Sequence, residues 1–318
     1  MGAIAEVKHL KKYFPTPKGA LHAVDDVSFK IEEGTTLGVV GESGCGKSTL
    51  GRTIIHLQDS TDGQILFDGE DITHVDRKQL SELRHKMQII FQDPFSSLNP
   101  RMTVDDTINE PIRRSGKYSK DEIARETTKL MELVGIDSSM RRAYPHELDG
   151  GRRQRVGIAR ALAMNPRFIV CDEPVSALDV SIQAQILNLL QDLQEERHLT
   201  YMFITHDMSV VRHLSTDIAV MYLGQMVEIS PAKEIFLKTL HPYTKVLLSA
   251  IPSTDIDHPK QRILVKGELV SPIEPKPGCR FYARCPYATE ECTKPQHLEE
   301  VLPKHYVACC HARSLNGL

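Results

Sequence analysis

The chain has 318 residues, 41% of them hydrophobic and 25% charged, with a formal net charge of -3. That length buries a full core and fits about two domains, and the slightly acidic balance gives no reason to expect a nucleic-acid partner. No apolar run approaches the roughly 20 residues that span a bilayer, and residues 1–14 show neither a signal-peptide core nor, with Glu6, a myristoylation site, so a cytosolic chain is expected.

Short alternating runs at residues 5–10 and 23–29 read as edge-type antiparallel strands around the turn Thr16-Pro17-Lys18-Gly19. Between them lie Tyr13 and Phe14, either of which is able to stack on a base. Residues 36–40 form a short buried strand, residues 50–57 have helical apolar spacing, and residues 67–71 read as a turn. A charged helix follows over about 76–87, then a strand over 87–91 that ends in Gln92-Asp93-Pro94. From 104 to 164 the pattern is helical, clearest over 121–134, and this block separates two strand-rich stretches. It reads as a helical subdomain, about 94–164, inserted into an α/β core. Residues 167–173 form an apolar strand ending in Asp172-Glu173, a helix spans about 181–196, and a buried strand covers 200–207. Residues 217–226 and 227–228 give two more short strands. After Leu248, Pro252, Pro259, Pro272, Pro275 and Pro277 mark a loop-rich extension. The expected division is residues 1–252 and 253–318.

The stretch Gly41-Glu42-Ser43-Gly44-Cys45-Gly46-Lys47-Ser48-Thr49 fits G-x-x-x-x-G-K-[ST] between a strand and a helix. Glycines at 41, 44 and 46 allow a tight turn that points N–H groups inward, and the next helix adds its positive end. This nest suits a triphosphate, with Lys47 reaching the β- and γ-phosphates and the Ser48 hydroxyl on Mg²⁺. Asp172 is placed to hold Mg²⁺ through water, and Glu173 to polarise an attacking water.

These motifs, with Gln92, Leu148-Asp149-Gly150-Gly151-Arg152, Ser176-Ala177-Leu178-Asp179 and His206, occur in an order and spacing that resembles the ATP-binding-cassette ATPases over about residues 3–250. The resemblance implies a RecA-like parallel α/β core with an antiparallel β subdomain and the inserted helical subdomain. It implies a head-to-tail dimer in which each ATP lies between one subunit's phosphate loop and the other's signature stretch. On the matching positions, Gln92 senses Mg²⁺ and the membrane partner, Asp179 communicates across the dimer, and His206 contacts the γ-phosphate. The adenine-stacking aromatic falls at Phe14 or Tyr13, with Phe14 favoured. The family's signature usually reads Leu-Ser-Gly-Gly-Gln. Asp149 replaces the serine donor with a negative charge, at a bare Coulomb scale of about 4 kcal/mol against a phosphate charge about 4 Å away. Asp is also a good helix N-cap, with Arg152 present to neutralise it. The sharper expectation is an asymmetric heterodimer with a second ATPase subunit, its hydrolysis dominated by this chain's own phosphate loop.

Seven cysteines are unevenly placed: Cys45 and Cys171 lie in nucleotide motifs and five lie between 279 and 310. In a reducing cytosol such a cluster suggests metal more than disulfides. The run from His241 to Pro252, Gly267-Glu268, Ser271-Pro272, and the segments around Cys279, Cys285, Cys292 and Cys309 resemble the ATPases of dipeptide, oligopeptide and nickel importers. That resemblance implies a [4Fe-4S] cluster held by Cys279, Cys285, Cys292 and Cys309. Thiolates also suit Zn²⁺, although the Cys-x₂-Cys pairs of structural zinc sites are missing, and Cys310, His305 and His311 stand nearby in sequence. The resulting expectation is the ATPase subunit of a peptide importer, peripheral on the cytoplasmic face of the cell membrane. Its partners are a second ATPase subunit, two transmembrane permease subunits and, indirectly, an extracytoplasmic binding protein that selects the cargo. Import of nickel or another small chelate, or a soluble cassette ATPase outside transport, are the rival readings.

Overall fold

The computed structural model describes residues 2–251, 262–265, 267 and 271–318. Pro252, Pro259, Glu268 and the 252/253 boundary lie outside the described residues. The chain divides into two compact units, Met1–His74 with Phe203–Leu318, and Val75–Met202.

The first unit opens with β1 (Ala3–Thr16) and β2 (Gly19–Glu32), antiparallel around Pro17-Lys18 with Thr16 opposite Gly19. Both are longer than the alternating runs at 5–10 and 23–29. Bulges, where His9 and Asp26 adopt φ 48° and 57°, break the period-2 pattern without breaking the ladder. The fully buried β3 (Thr36–Val40) feeds the phosphate loop, and α1 (Lys47–Ile54) leaves it. Next come β4 (Asp62–Phe67) and β5 (Glu70–Asp71), which complete an antiparallel sheet of order β2-β1-β4-β5. The expected turn therefore reduces to Asp68-Gly69, at φ 56° and 80°, between two strands.

In the second unit, α2 (Arg77–Lys86) starts at a capping box of Asp76 and Gln79. The strand β6 (Met87–Ile90) pairs parallel with β7 (Phe168–Asp172), from Met87 opposite Phe168 to Ile90 opposite Cys171. Between them run α3 (Pro94–Ser97), α4 (Val104–Ser115), α5 (Lys120–Leu133) and α6 (Gly150–Leu162). Thr103 with Asp106, and Ser119 with Glu122, form further capping boxes that fix the starts of α4 and α5. After β7 comes α7 (Val180–Arg197), and the chain re-enters the first unit within β8 (Thr200–Thr205).

The first unit then adds α8 (Met208–Leu214), β9 (Asp217–Tyr222), β10 (Gln225–Pro231), α9 (Ala232–Leu237) and α10 (Pro242–Ser249). In the extension follow β11 (Glu299–Leu302), β12 (His305–Val307) and α11 (Ala312–Asn316). Within this unit the second sheet runs β11-β12-β10-β9-β3-β8, with β3 and β9 parallel. The turn between β9 and β10 is Leu223-Gly224, at φ 43° and 87°, not the later break at 226/227. A leucine in the left-handed region gives no turn signal in the sequence. The extension is tied to the cassette by backbone ladders. Tyr306 and Val307 pair with Ile229 and Glu228, and Ile273 bridges Leu21 on β2.

Candidate functional site

The phosphate loop leaves β3 at Gly41 and enters α1 at Lys47. Gly46 sits at φ 106°, and a β-carbon there would come within 1.9 Å of the Ala23 carbonyl, so only glycine fits. Ser43 and Gly44 are both exposed, and Gly44, at φ 77°, has nothing within 4 Å of where a β-carbon would stand. Lys47 is 4% exposed, and its Nζ donates to the carbonyls of Gly41 at 2.9 Å and Glu42 at 3.0 Å, with the Cys45 sulfur at 3.8 Å. Burial pushes the Cys45 thiol up, so it stays neutral beside the ammonium. Ser48 and Thr49 follow in the first turn of α1, half-buried. The loop is braced from behind by the β9–β10 turn, where Gly224 N–H donates to the Cys45 carbonyl at 2.9 Å. The Glu42 N–H donates to Tyr243 Oη at 2.9 Å.

Of the two aromatics on β1, Tyr13 is already engaged. Its ring stacks on His22 at 3.9 Å between centroids, and its hydroxyl donates to Asp25, whose other oxygen takes Arg280. Phe14 is half-buried and carries the Lys12 ammonium over its ring, 4.9 Å from the centroid. On the same unit, His206 follows β8 directly and is exposed, and Asp207 behind it caps α8 through Ser209 N–H at 2.8 Å.

In the second unit, Asp172 ends β7 fully buried, and Glu173 follows in the left-handed region at φ 47°. The Gln92 side chain, exposed after β6, donates from Nε2 to Glu173 Oε2 at 3.0 Å, so these two predicted residues meet. Asp149 caps α6. Its Oδ1 accepts from Arg152 N–H at 2.8 Å, and Oδ2 lies 3.4 Å from Arg152 Nη1. Asp149 is therefore the N-cap of α6, with Arg152 as a solvent-exposed ion-pair partner. Gly150 and Gly151 open the helix, and a β-carbon at Gly151 would stand 2.7 Å from Ile182 Cγ2. Asp179 is exposed and precedes α7 without capping it through its side chain.

The extension gathers its thiols. Cys292 Sγ lies 3.8 Å from Cys310 Sγ, and Cys279 N–H donates to the Cys292 carbonyl at 2.8 Å. Burial pushes the Cys279 thiol up to about 12, with the charges of Cys309, Cys292 and Cys285 adding to the rise. Burial raises Cys285 and Cys309 as well, and neighbouring thiols again contribute. Sulfurs that repel one another as thiolates form a site for a soft cationic centre, which would reverse that cost. Cys279, Cys285, Cys292 and Cys309 thus lie near enough for their charges to interact, and their thiols are donors of the soft kind that zinc and iron–sulfur groups share. A tighter trio of Cys292, Cys310 and His311 has its ligand atoms within 4.8 Å of one another. His305, by contrast, is turned away, with Nε2 2.7 Å from the buried Glu228 carboxylate.

Sequence reading missed Tyr222, Tyr243 and Arg284 as supports of the phosphate loop. They lie about 180 to 240 positions downstream of it in the chain, and no local spacing marks them.

The family described as ABC transporter matches residues 24–176, and that described as oligopeptide/dipeptide transporter, C-terminal region, matches residues 227–292. The oligopeptide transport ATP-binding protein AppF of Bacillus subtilis is 50% identical over 317 residues, covering 96% of each chain. OppF of Salmonella typhimurium, also an oligopeptide transport ATP-binding protein, is 48% identical over 307 residues, covering 96% of this chain and 92% of its own. The ATP-binding cassette MJ0796, solved as a dimer in a post-hydrolysis state with ADP and Pi, superposes with a TM-score of 0.66 at 29% identity. That match covers 72% of this chain and 98% of the other.

Proposed function

The chain belongs to the ABC transporter ATPases, in their oligopeptide-transport branch, and on that premise we propose that it drives uptake of di- or oligopeptides by binding and hydrolysing ATP. The observation that carries this reading is the likeness to an oligopeptide transport ATP-binding protein along 96% of both chains, extension included.

In this reading the N–H groups of Gly41 and residues 43–49 cradle the phosphates, and Lys47 exchanges its loop carbonyls for phosphate oxygens. Ser48, Gln92 and Asp172 hold Mg²⁺, Glu173 polarises the attacking water, and His206 contacts the γ-phosphate. Phe14 stacks on adenine, a role supported by the engagement of Tyr13 with His22 and Asp25. The dimer of the MJ0796 cassette supports pairing with a second ATPase subunit. There Asp149, Gly150 and Gly151 meet the partner's nucleotide, and Asp179 reports across the interface. The Arg152 guanidinium, 3.4 Å away and exposed to solvent, offsets the Asp149 charge only in part. The remaining charge would make the pair an asymmetric heterodimer.

No helix among the described residues is long and apolar enough to cross a membrane, so two permease subunits would supply the pathway. Docking on their cytoplasmic side is supported by the exposed ring of Phe95, 64% accessible on the short helix α3 just after Gln92. A separate binding protein delivers the peptide to those subunits. Cys279, Cys285, Cys292 and Cys309 would hold a [4Fe-4S] cluster, a reading supported by the gathering of their thiols. Such a group supplies a structural cross-link for the Pro-rich tail.

Glu173→Gln tests the motor. In the assembled complex it should cut phosphate release by at least about 100-fold while ATP still binds. Turnover near the wild-type rate would remove Glu173 from its role, and absence of turnover in the wild-type complex would remove the ATPase reading.

A further inference from the structure

The cysteine-rich extension touches the phosphate loop through residues that lie between two of its thiols. Arg284, next to Cys285, donates from Nη1 to both carboxylate oxygens of Glu42, at 3.1 and 2.9 Å, and to Tyr222 Oη at 3.1 Å. Glu42 is the second residue of the loop, and all three of its polar groups are held. Its N–H donates to Tyr243, its carbonyl accepts from Lys47, and its carboxylate accepts from Arg284. Behind this contact Phe281, fully buried, packs against Tyr222 and Tyr243 with ring centroids 5.4 Å from each. Arg280 makes the second tether, to Asp25, the acceptor of the Tyr13 hydroxyl.

A carboxylate carried on a loop built for anions opposes the ligand unless it is neutralised and held in place. The Glu42–Arg284 pair is shielded, with side chains 27% and 14% exposed, so water screens it only in part. We propose that Arg284 is a positioning residue for the phosphate loop, through which the 279–285 segment of the extension sets nucleotide affinity. The idea rests on the ATPase reading above. It makes the extension a regulator of the motor, since whatever orders or loosens the thiol-flanked segment moves Arg284 and with it residue 42.

A double-mutant cycle on the purified full chain, with MgATP binding read by calorimetry, tests the link. Arg284→Ala should weaken binding about 10-fold, and Arg284→Lys, which keeps the charge, should restore part of the loss. In a Glu42→Gln background, where no carboxylate needs neutralising, Arg284→Ala should change affinity by less than about twofold. Cys285→Ser should weaken binding in the same direction and add nothing to Arg284→Ala. Thermal melts separate this from a clamp that merely holds the tail. A folded Arg284→Ala chain with unchanged affinity, or an equal loss in both Glu42 backgrounds, overturns the proposal. Unchanged affinity in Cys285→Ser overturns the part played by the extension. A wild-type chain that binds no MgATP overturns the ATPase reading and this one with it.

Discussion

Glu173 at φ 47° and His241 in the core hold two kinds of unfavourable state within one chain. A β-carbon in the left-handed region costs on the order of 1 kcal/mol or more, and here it re-aims the side chain directly after the buried Asp172. His241 is buried neutral. Its Nδ1 accepts the Tyr243 N–H at 3.1 Å as the N-cap of α10, and burial holds its pKa at about 4, against the opposing pull of Glu228. An unfolded histidine titrates near pH 6.5. As pH falls from about 6.5 to about 4 the unfolded chain takes up a proton that the native chain refuses, so this group's stabilising effect is complete above that window and lost through it, on a scale of roughly 3 kcal/mol. His241→Asn keeps a capping acceptor but cannot titrate. Urea unfolding at pH 7.5 and pH 5 should show the wild type losing more stability than the variant, and parallel losses would refute the assignment.

At the scale of elements, the start of α6 separates a capping role from a catalytic one. Asp149 caps the helix through Arg152 N–H, and serine caps about as well as aspartate. Asp149→Ser should therefore change the stability of the isolated chain by less than about 1 kcal/mol. In the assembled complex it should raise ATP affinity or turnover at the partner's site if, as proposed, the signature acts on the other subunit's nucleotide. Unchanged ATPase activity and ATP affinity would count against the asymmetric dimer. The elements that sequence made legible are those that carry their own signals. Asp76 with Gln79 and Ser119 with Glu122 announce α2 and α5, and the largely apolar, fully buried β3, β7 and β8 announce the buried sheet. The phosphate loop was legible because its glycines and Lys47 are dictated by local backbone geometry. By contrast, β12 is three residues whose partner strand lies some 77 positions earlier, and β4 opens on Asp62-Gly63, which reads as a turn. Their pairing is decided by tertiary contacts, and so is the contact of Arg284 with Glu42.

For the whole molecule, the extension coheres through few elements. Its apolar cluster is small: Val307 and Ala312 pack with Leu240, flanked by Val301, Leu302 and Cys309. Two backbone ladders and two arginine tethers join it to the cassette, yet residues 278–293 are otherwise turns and single 3₁₀ turns around the thiols. Phe281 is the buried apolar anchor of this segment, and a covalent or metal staple through the thiols around it would add to that anchor. Where thiols are kept reduced a disulfide staple is disfavoured, and the proposed thiolate-bound centre would take its place. Protein purified without oxygen should contain about four irons and four sulfides per chain, with a visible absorption band that reduction bleaches. Cys279→Ser or Cys292→Ser should remove both, whereas Cys310→Ser should leave them, since Cys310 lies outside the four-ligand set. Zinc in place of iron, lost in Cys310→Ser, would instead assign the tighter trio of Cys292, Cys310 and His311 as the ligands. That outcome would keep the ATPase and remove the cluster. Because the 279–285 segment bears on Glu42, loss of the bound metal should also lower MgATP affinity, so metal content and nucleotide binding measured on one sample should fall together.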